Sequence, residues 1–249
     1  DERHLAALSM TGHEDVRVRR RPRVALLVSG DEIVEPGRAL APGEIYDANT
    51  PFLTAFLERT SGARAGVLQV ADDRKAVRRT LDGALRNYDM VVSTGGVSVG
   101  DYDFLTEVSA DVGAEQIFWK VSQKPGKPVF FAMREQTPFL GLPGNPGAVF
   151  VGAHAYLARI IDELEGVSNV RPHWKPGRVV EALERSARRA RWAPCRVETN
   201  ADGVNTLHPI DQGRAHRMSQ LYRAEALVLV REGEGAIAEG ESVLWLAVT

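Results

Sequence analysis

The feature that most constrains this chain is a change of period. From Arg23 to Leu164, short apolar runs alternate with segments of helical spacing; beyond Pro176, only short strand-like runs separated by turns remain. Val24-Ala25-Leu26-Leu27-Val28 is a continuous apolar run closed by Ser29-Gly30-Asp31. That pattern predicts a strand buried on both faces, with a turn at its C-terminal end. Further strands are expected at Ala65–Val70, Met90–Ser93, Glu115–Val121, Pro128–Ala132 and Phe139–Pro143. Between the Val24–Val28 run and Ala65–Val70, Asn49-Thr50-Pro51 announces a helix that Gly62 stops. Asn49 or Thr50 can cap it, and Pro51 suits the first helical position. Arg74–Asn87 and Phe104–Val112 read as two more helices and Ala148–Leu164 as a long one. Strands alternating with helices predict a parallel or mostly parallel α/β sheet. Val179–Leu183, Arg196–Asn200, Asn205–Pro209, Ala226–Val230 and Ser242–Ala247 then read as strands of a small barrel or sandwich. The expected organisation is a linker or domain end over 1–22, an α/β domain over 23–166 and a β domain over 172–249.

Composition narrows the function classes. A length of 249 residues accommodates two domains, and 44% hydrophobic with 26% charged residues is an ordinary globular mix. The net charge of −2 supplies no general basic field for nucleic acid or an anionic membrane. The single cysteine, Cys195, excludes an internal disulfide framework and any multi-cysteine metal site. Apolar runs are only a few residues long, and residues 1–20 lack the apolar core of a signal peptide. The expectation is a soluble, cytoplasmic protein with no membrane or nucleic-acid partner. Residue 1 is Asp rather than Met, so the chain is expected to begin inside a longer one. The arginine runs Arg17–Arg23 and Arg185–Arg191 read as solvated faces or linkers.

In an open parallel sheet, ligands bind outside the carboxyl ends of the strands. Four segments are therefore expected on one edge: Ser29–Glu32, Thr94–Asp103, Lys124–Pro128 and Gly141–Pro146. Gly95-Gly96 lets backbone amides approach an anion, with the Thr94 and Ser98 hydroxyls beside them; a plain glycine turn is the alternative. Neither G-x-x-x-x-G-K-[ST] nor G-x-G-x-x-G occurs. Asp31, Glu32, Asp101 and Asp103 are carboxylates of the kind that hold Mg²⁺ against phosphate oxygens, although each alone could be a cap or a solvated turn. Of the 31 basic residues only five are lysine, and Lys120, Lys124 and Lys127 cluster. Lysine is a compact point charge suited to phosphates and oxyanions, and chance clustering on a solvated loop is equally open. Pro143-Gly144-Asn145-Pro146 stiffens another wall and presents an amide to a heterocycle edge. None of the six histidines falls in these loops, which argues against a Ser-His-Asp hydrolase.

At these loops, together with Ile45-Tyr46-Asp47-Ala48-Asn49, the chain resembles the molybdopterin molybdenumtransferase family, the group of MoeA and the gephyrin E domain. A weaker resemblance to the family's C-terminal barrel runs through Arg196, Asp202-Gly203, Gln212-Gly213, His216–Ser219 and Ala226–Val230. The resemblance implies a three-layer, mostly parallel α/β domain of the molybdopterin-binding type, followed by a small all-β barrel. It also implies Mg²⁺-dependent insertion of molybdate into adenylylated molybdopterin, with release of AMP, by a homodimer. Asp31, Glu32, Asp101, Lys124 and Lys127 would be catalytic, with Asp31, Glu32, Asp101 and Asp103 toward the metal. Thr94, Gly95, Gly96, Ser98, Gly100 and Pro143–Pro146 would hold the pterin nucleotide. Lys124 and Lys127, joined by Arg196 and Ser219, resemble the molybdate site. Three departures stand out: Gly147-Ala148 replaces the usual Val-Ser, Ser29 replaces Thr, and the family's two further N-terminal domains are missing. A molybdopterin-binding module with poor turnover, or a scaffold domain, are the competing expectations. The barrel segment argues against an adenylylating relative of the same α/β fold.

Overall fold

The computed structural model describes residues 2–96, 104–168, 170, 172–210 and 221–248. In chain order, helix α1 (Glu2–Met10) precedes strand β1 (Arg23–Ser29) and a two-strand ribbon, β2 (Ile33–Val34) with β3 (Ile45–Tyr46). Then come α2 (Asn49–Ser61), β4 (Arg64–Val70), α3 (Arg74–Asn87), β5 (Met90–Thr94), α4 (Leu105–Asp111) and β6 (Glu115–Trp119). The short β7 (Gln123–Lys124) leads to β8 (Phe130–Arg134) and β9 (Thr137–Leu142). Helices α5 (Pro146–Gly152) and α6 (Ala158–Glu165) follow, joined by a π-turn, Ala153–Leu157. The last part contains β10 (Trp174–Val179), β11 (Leu183–Glu184), β12 (Ala190–Thr199), β13 (Asn205–Pro209), β14 (Ala226–Val230), β15 (Ala236–Ile237) and β16 (Ser242–Ala247).

The first sheet has the order β4-β1-β5-β9-β8-β6, with β4, β1, β5 and β9 parallel and β8 antiparallel to both its neighbours. Alternation along β1 sends Val24 and Leu26 to one face and Ala25 and Leu27 to the other. Helices α2, α5 and α6 cover the first face through Leu53, Leu57, Val149 and Ile161. Helices α3 and α4 cover the second through Leu81, Leu85, Leu105 and Val108. Burial on both faces is why β1 reads as an unbroken apolar run. The later strands close into a five-strand barrel: β13-β10-β16-β14-β12, with β12 returning to β13. Its interior holds Val179, Leu183, Cys195, Leu207, Val228 and Trp245. Burial pushes the Cys195 thiol up to about 12, so it behaves as an apolar side chain.

Local chemistry corrects two expected helix starts. Helix α2 is capped by neither Asn49 nor Thr50: the Asp47 carboxylate accepts both their N–H groups, at 3.0 and 2.9 Å. Pro51 is its third residue, still in the turn where a missing N–H costs nothing. The expected helix Ala148–Leu164 begins two residues earlier, at Pro146, because the Asn145 side chain caps it by accepting the Gly147 N–H at 3.0 Å. The π-turn interrupts it at His154, which packs edge-on against Phe56 and Phe150 at 5.0 and 4.8 Å.

The arginine run before β1 is exposed, as expected of a linker, but it is tied down. Gly62 and Gly166 end α2 and α6 in left-handed conformation. The Arg21 guanidinium lies over Gly62 and that of Arg19 over Gly166. Cations there face the helices' terminal carbonyls. Between them Arg20 pairs with Asp89, which also accepts the Arg23 N–H at 2.7 Å. The hydrogen bond from Arg20 holds the Asp89 carboxyl down at about 2.

Candidate functional site

Strands β1, β5 and β9 point one way, and β6 joins them because both it and β9 run against β8. The segments following these strands therefore leave the same edge of the sheet. Three of them touch through backbone. The Gly95 N–H donates to the Leu142 carbonyl at 2.9 Å. A Cβ added at Gly144 would stand 3.7 Å from Gly95 Cα, and one at Gly95 would stand 3.5 Å from the Ser29 carbonyl oxygen. Gly95 and Gly96 have φ of 90° and 69°, where side chains are disfavoured, and a Cβ at Gly96 would strike Leu105 at 2.6 Å. Thr94 is buried at the end of β5, Pro143 is buried, and Gly144 and Asn145 are exposed. Asn145 spends its side-chain oxygen on the helix cap, which leaves its NH₂ for a ligand.

Asn49 joins this group although its spacing suggested only a cap. Its side-chain amide donates to the Gly144 carbonyl at 2.9 Å, so α2 braces the loop after β9. Asp47 makes that possible by taking over the capping. The signal was present: an aspartate just before Asn49-Thr50-Pro51 is itself a cap candidate.

Asp31 and Glu32 are exposed beyond β1, where Gly30, at φ 131°, turns the chain. A carboxylate oxygen of Asp72 lies 3.4 Å from the Asp31 N–H. Ser98, Gly100, Asp101, Asp103 and Ser219 lie outside the described residues. Among the described residues, no three His, Cys, Asp or Glu side chains form a group that could hold a metal ion.

The lysine loop has an unexpected attachment. Strand β7 leaves the α/β unit and pairs in parallel with β12, setting Lys124 beside Arg191. The loop closes through the Val121 N–H to the Lys127 carbonyl, 2.8 Å, and the Lys120 N–H to the Val129 carbonyl, 3.0 Å. The Lys124–Pro125 bond is cis. Lys124 and Lys127 are exposed. Lys120 is set apart from them, its ammonium 3.8 Å from the centre of the Trp119 ring. A Cβ at Gly126 would lie 3.8 Å from the Ala148 methyl, so this loop abuts the helix start at Asn145–Ala148. Arg196 is farther along β12, about 16 Å from Arg191 at the usual rise, exposed and opposite His208. Exposed amides, two lysines and carboxylates along one sheet edge suit an anionic, phosphate-bearing ligand.

A family model described as "Probable molybdopterin binding domain" matches residues 25–163, and a second, "MoeA C-terminal region (domain IV)", matches residues 176–248. The molybdopterin molybdenumtransferase of Nostoc sp. is 33% identical over 254 residues, covering 97% of this chain and 56% of that protein. The protein of the same name from Staphylococcus epidermidis is 29% identical over 241 residues, covering 96% and 57%. The chain thus spans little more than half the length of these relatives. Among solved structures, the molybdopterin biosynthesis MoeA protein of Pyrococcus horikosii superposes with a TM-score of 0.81 at 25% identity, covering 100% of this chain and 60% of that one.

Proposed function

This chain belongs to the molybdopterin-binding family, in the MoeA branch that carries a C-terminal barrel, and from that premise we propose that it inserts molybdate into adenylylated molybdopterin. The observation that carries the reading is the convergence of the Gly95-Gly96, Gly144 and lysine loops on one edge of the sheet.

The Gly96 amide and the close backbone approach that Gly95 permits, with Thr94, Ser98 and Gly100, take the phosphate and pterin end, and Pro143–Pro146 form the facing wall. Lys124 and Lys127, with Ser219, neutralise a tetrahedral oxyanion, and Arg196, set well along β12 from Lys124, is left out of that group; fixed cations next to a dianion suit the task better than neutral donors. Carboxylate oxygens are the donors that Mg²⁺ accepts, so Asp31, Glu32, Asp101 and Asp103 fit a magnesium site in kind. When bound there, the ion supplies positive charge to the phosphate oxygens of the adenylate, whose cleavage releases AMP. The domains extend over 23–166 and 172–249, with 1–22 as a lead-in segment. The working unit is a cytoplasmic homodimer that needs no membrane or nucleic-acid partner.

AMP release from adenylylated molybdopterin tests the reading directly. It is expected to require both molybdate and Mg²⁺, and to fall at least about a hundredfold in Lys124→Ala. Asp31→Ala is expected to raise the Mg²⁺ concentration needed for half-maximal rate. A wild-type rate in Lys124→Ala would remove the lysines from the site.

A further inference from the structure

Resting on the reading that Lys124 and Lys127 hold the oxyanion, we infer that Gln123 is a positioning residue that sets the lysine loop against the barrel. Gln123 is 3% exposed, on β7 next to Lys124. Its side-chain oxygen accepts the Trp192 indole N–H at 3.1 Å and the Tyr156 O–H at 2.6 Å. Its side-chain nitrogen donates to the Gly126 carbonyl at 3.3 Å. One amide thereby joins three places: the π-turn of the long helix, β12 of the barrel, and the chain between the two lysines.

The orientation of that amide is forced. An indole N–H can only donate, so the end facing Trp192 must be the oxygen. Tyr156 is consistent with this, because burial pushes its phenol up to about 12 and so it keeps a proton to donate to that oxygen. The NH₂ is then left for Gly126. That contact admits no substitute in the loop: Gly126 has φ 89°, and a Cβ there would lie 2.9 Å from the Gln123 nitrogen. The Gly126 carbonyl also accepts the Val129 N–H at 3.3 Å, so the turn carrying Lys127 closes around the group that Gln123 holds.

Gln123→Glu separates positioning from plain interface stability. Its carboxylate still accepts from Trp192 and Tyr156 but has nothing to donate to Gly126. Protonated, the carboxyl regains a donor and mimics glutamine. Titration calorimetry of the full chain with sodium molybdate, from pH 6 to pH 9, reads the difference. In Gln123→Glu, molybdate affinity is expected to approach wild type at the acid end and to be about tenfold weaker at the alkaline end, beyond any wild-type change. Gln123→Met, of similar volume, is expected to be weak at every pH, with affinity for adenylylated molybdopterin changed by less than about twofold. Wild-type molybdate binding in either variant across the range would overturn the positioning role. So would equal loss of both ligands in Gln123→Met. If the wild-type chain itself bound no molybdate, the lysine reading underneath would fall instead.

Discussion

His154 is the clearest case of one residue carrying a measurable consequence. Its ring is enclosed by Phe52, Phe56 and Phe150, and burial, aided by the charge of Arg59, holds its pKa at about 4. The unfolded chain takes up this proton near pH 6.5, whereas the folded chain refuses it until about pH 4. The contribution is therefore intact above pH 6.5 and is lost as pH falls toward 4, to the extent of about 3 kcal/mol. Urea midpoints at pH 7 and pH 4.5 are expected to show this slope in the wild type and a flatter one in His154→Gln. Equal slopes would reject it. Asp89 acts in a separate window: its pKa is depressed to about 2, so its contribution is fully present above about 3.8 and is lost as pH falls from there through about 2. At this scale the sequence shows which residues bear chemistry but not how they are spent. The Asn145 amide reads as a ligand contact, and half of it caps a helix. Gln123 carries no sequence signal, because Tyr156 and Trp192 are 33 and 69 residues away.

At the scale of elements, helix ends do more than stop helices. Gly62 and Gly166 each end a helix and accept an arginine from the segment before β1. A Cβ at Gly62 would lie 1.7 Å from the Arg21 guanidinium, in a backbone conformation that already disfavours it. Gly62→Ala is expected to cost about 1–2 kcal/mol in denaturant unfolding. An unchanged midpoint would show that the arginine moves aside freely and that the strained backbone costs nothing. The order of strands and helices in the sheet unit was legible because each element buries its own face with its own period, whereas the strand expected at Val179–Leu183 falls on the break between β10 and β11. The π-turn was not, since one extra residue in a turn barely disturbs the apolar spacing of a long helix.

For the whole molecule, the contact between sheet unit and barrel sets the behaviour. Phe150 and Val151 of α5 pack with Trp192, Leu221, Leu227 and Leu246, while Trp192 stacks on Trp174 with planes 4° apart. With β7 paired to β12, the two parts are expected to unfold together. Trp192→Ala removes a ring that is 7% exposed and a hydrogen bond to Gln123. It is expected to cost about 3–5 kcal/mol and to split the calorimetric transition into two. A single transition at the wild-type temperature would show that the halves are coupled elsewhere.

By itself the sequence determined the mostly parallel sheet, the switch to short β-strands and the four loops expected on one edge. Those follow from periodicity and from glycine and proline placement, which record burial and backbone freedom within a few residues. Strand spacing left barrel and sandwich open, and the closed barrel that the resemblance implied is the one observed. Tertiary structure alone attached the lysine loop to that barrel, placed Arg191 rather than Arg196 beside Lys124, and oriented the Gln123 amide. Each depends on chain segments far apart in sequence, and no local pattern records which distant donor meets which acceptor once the core has closed.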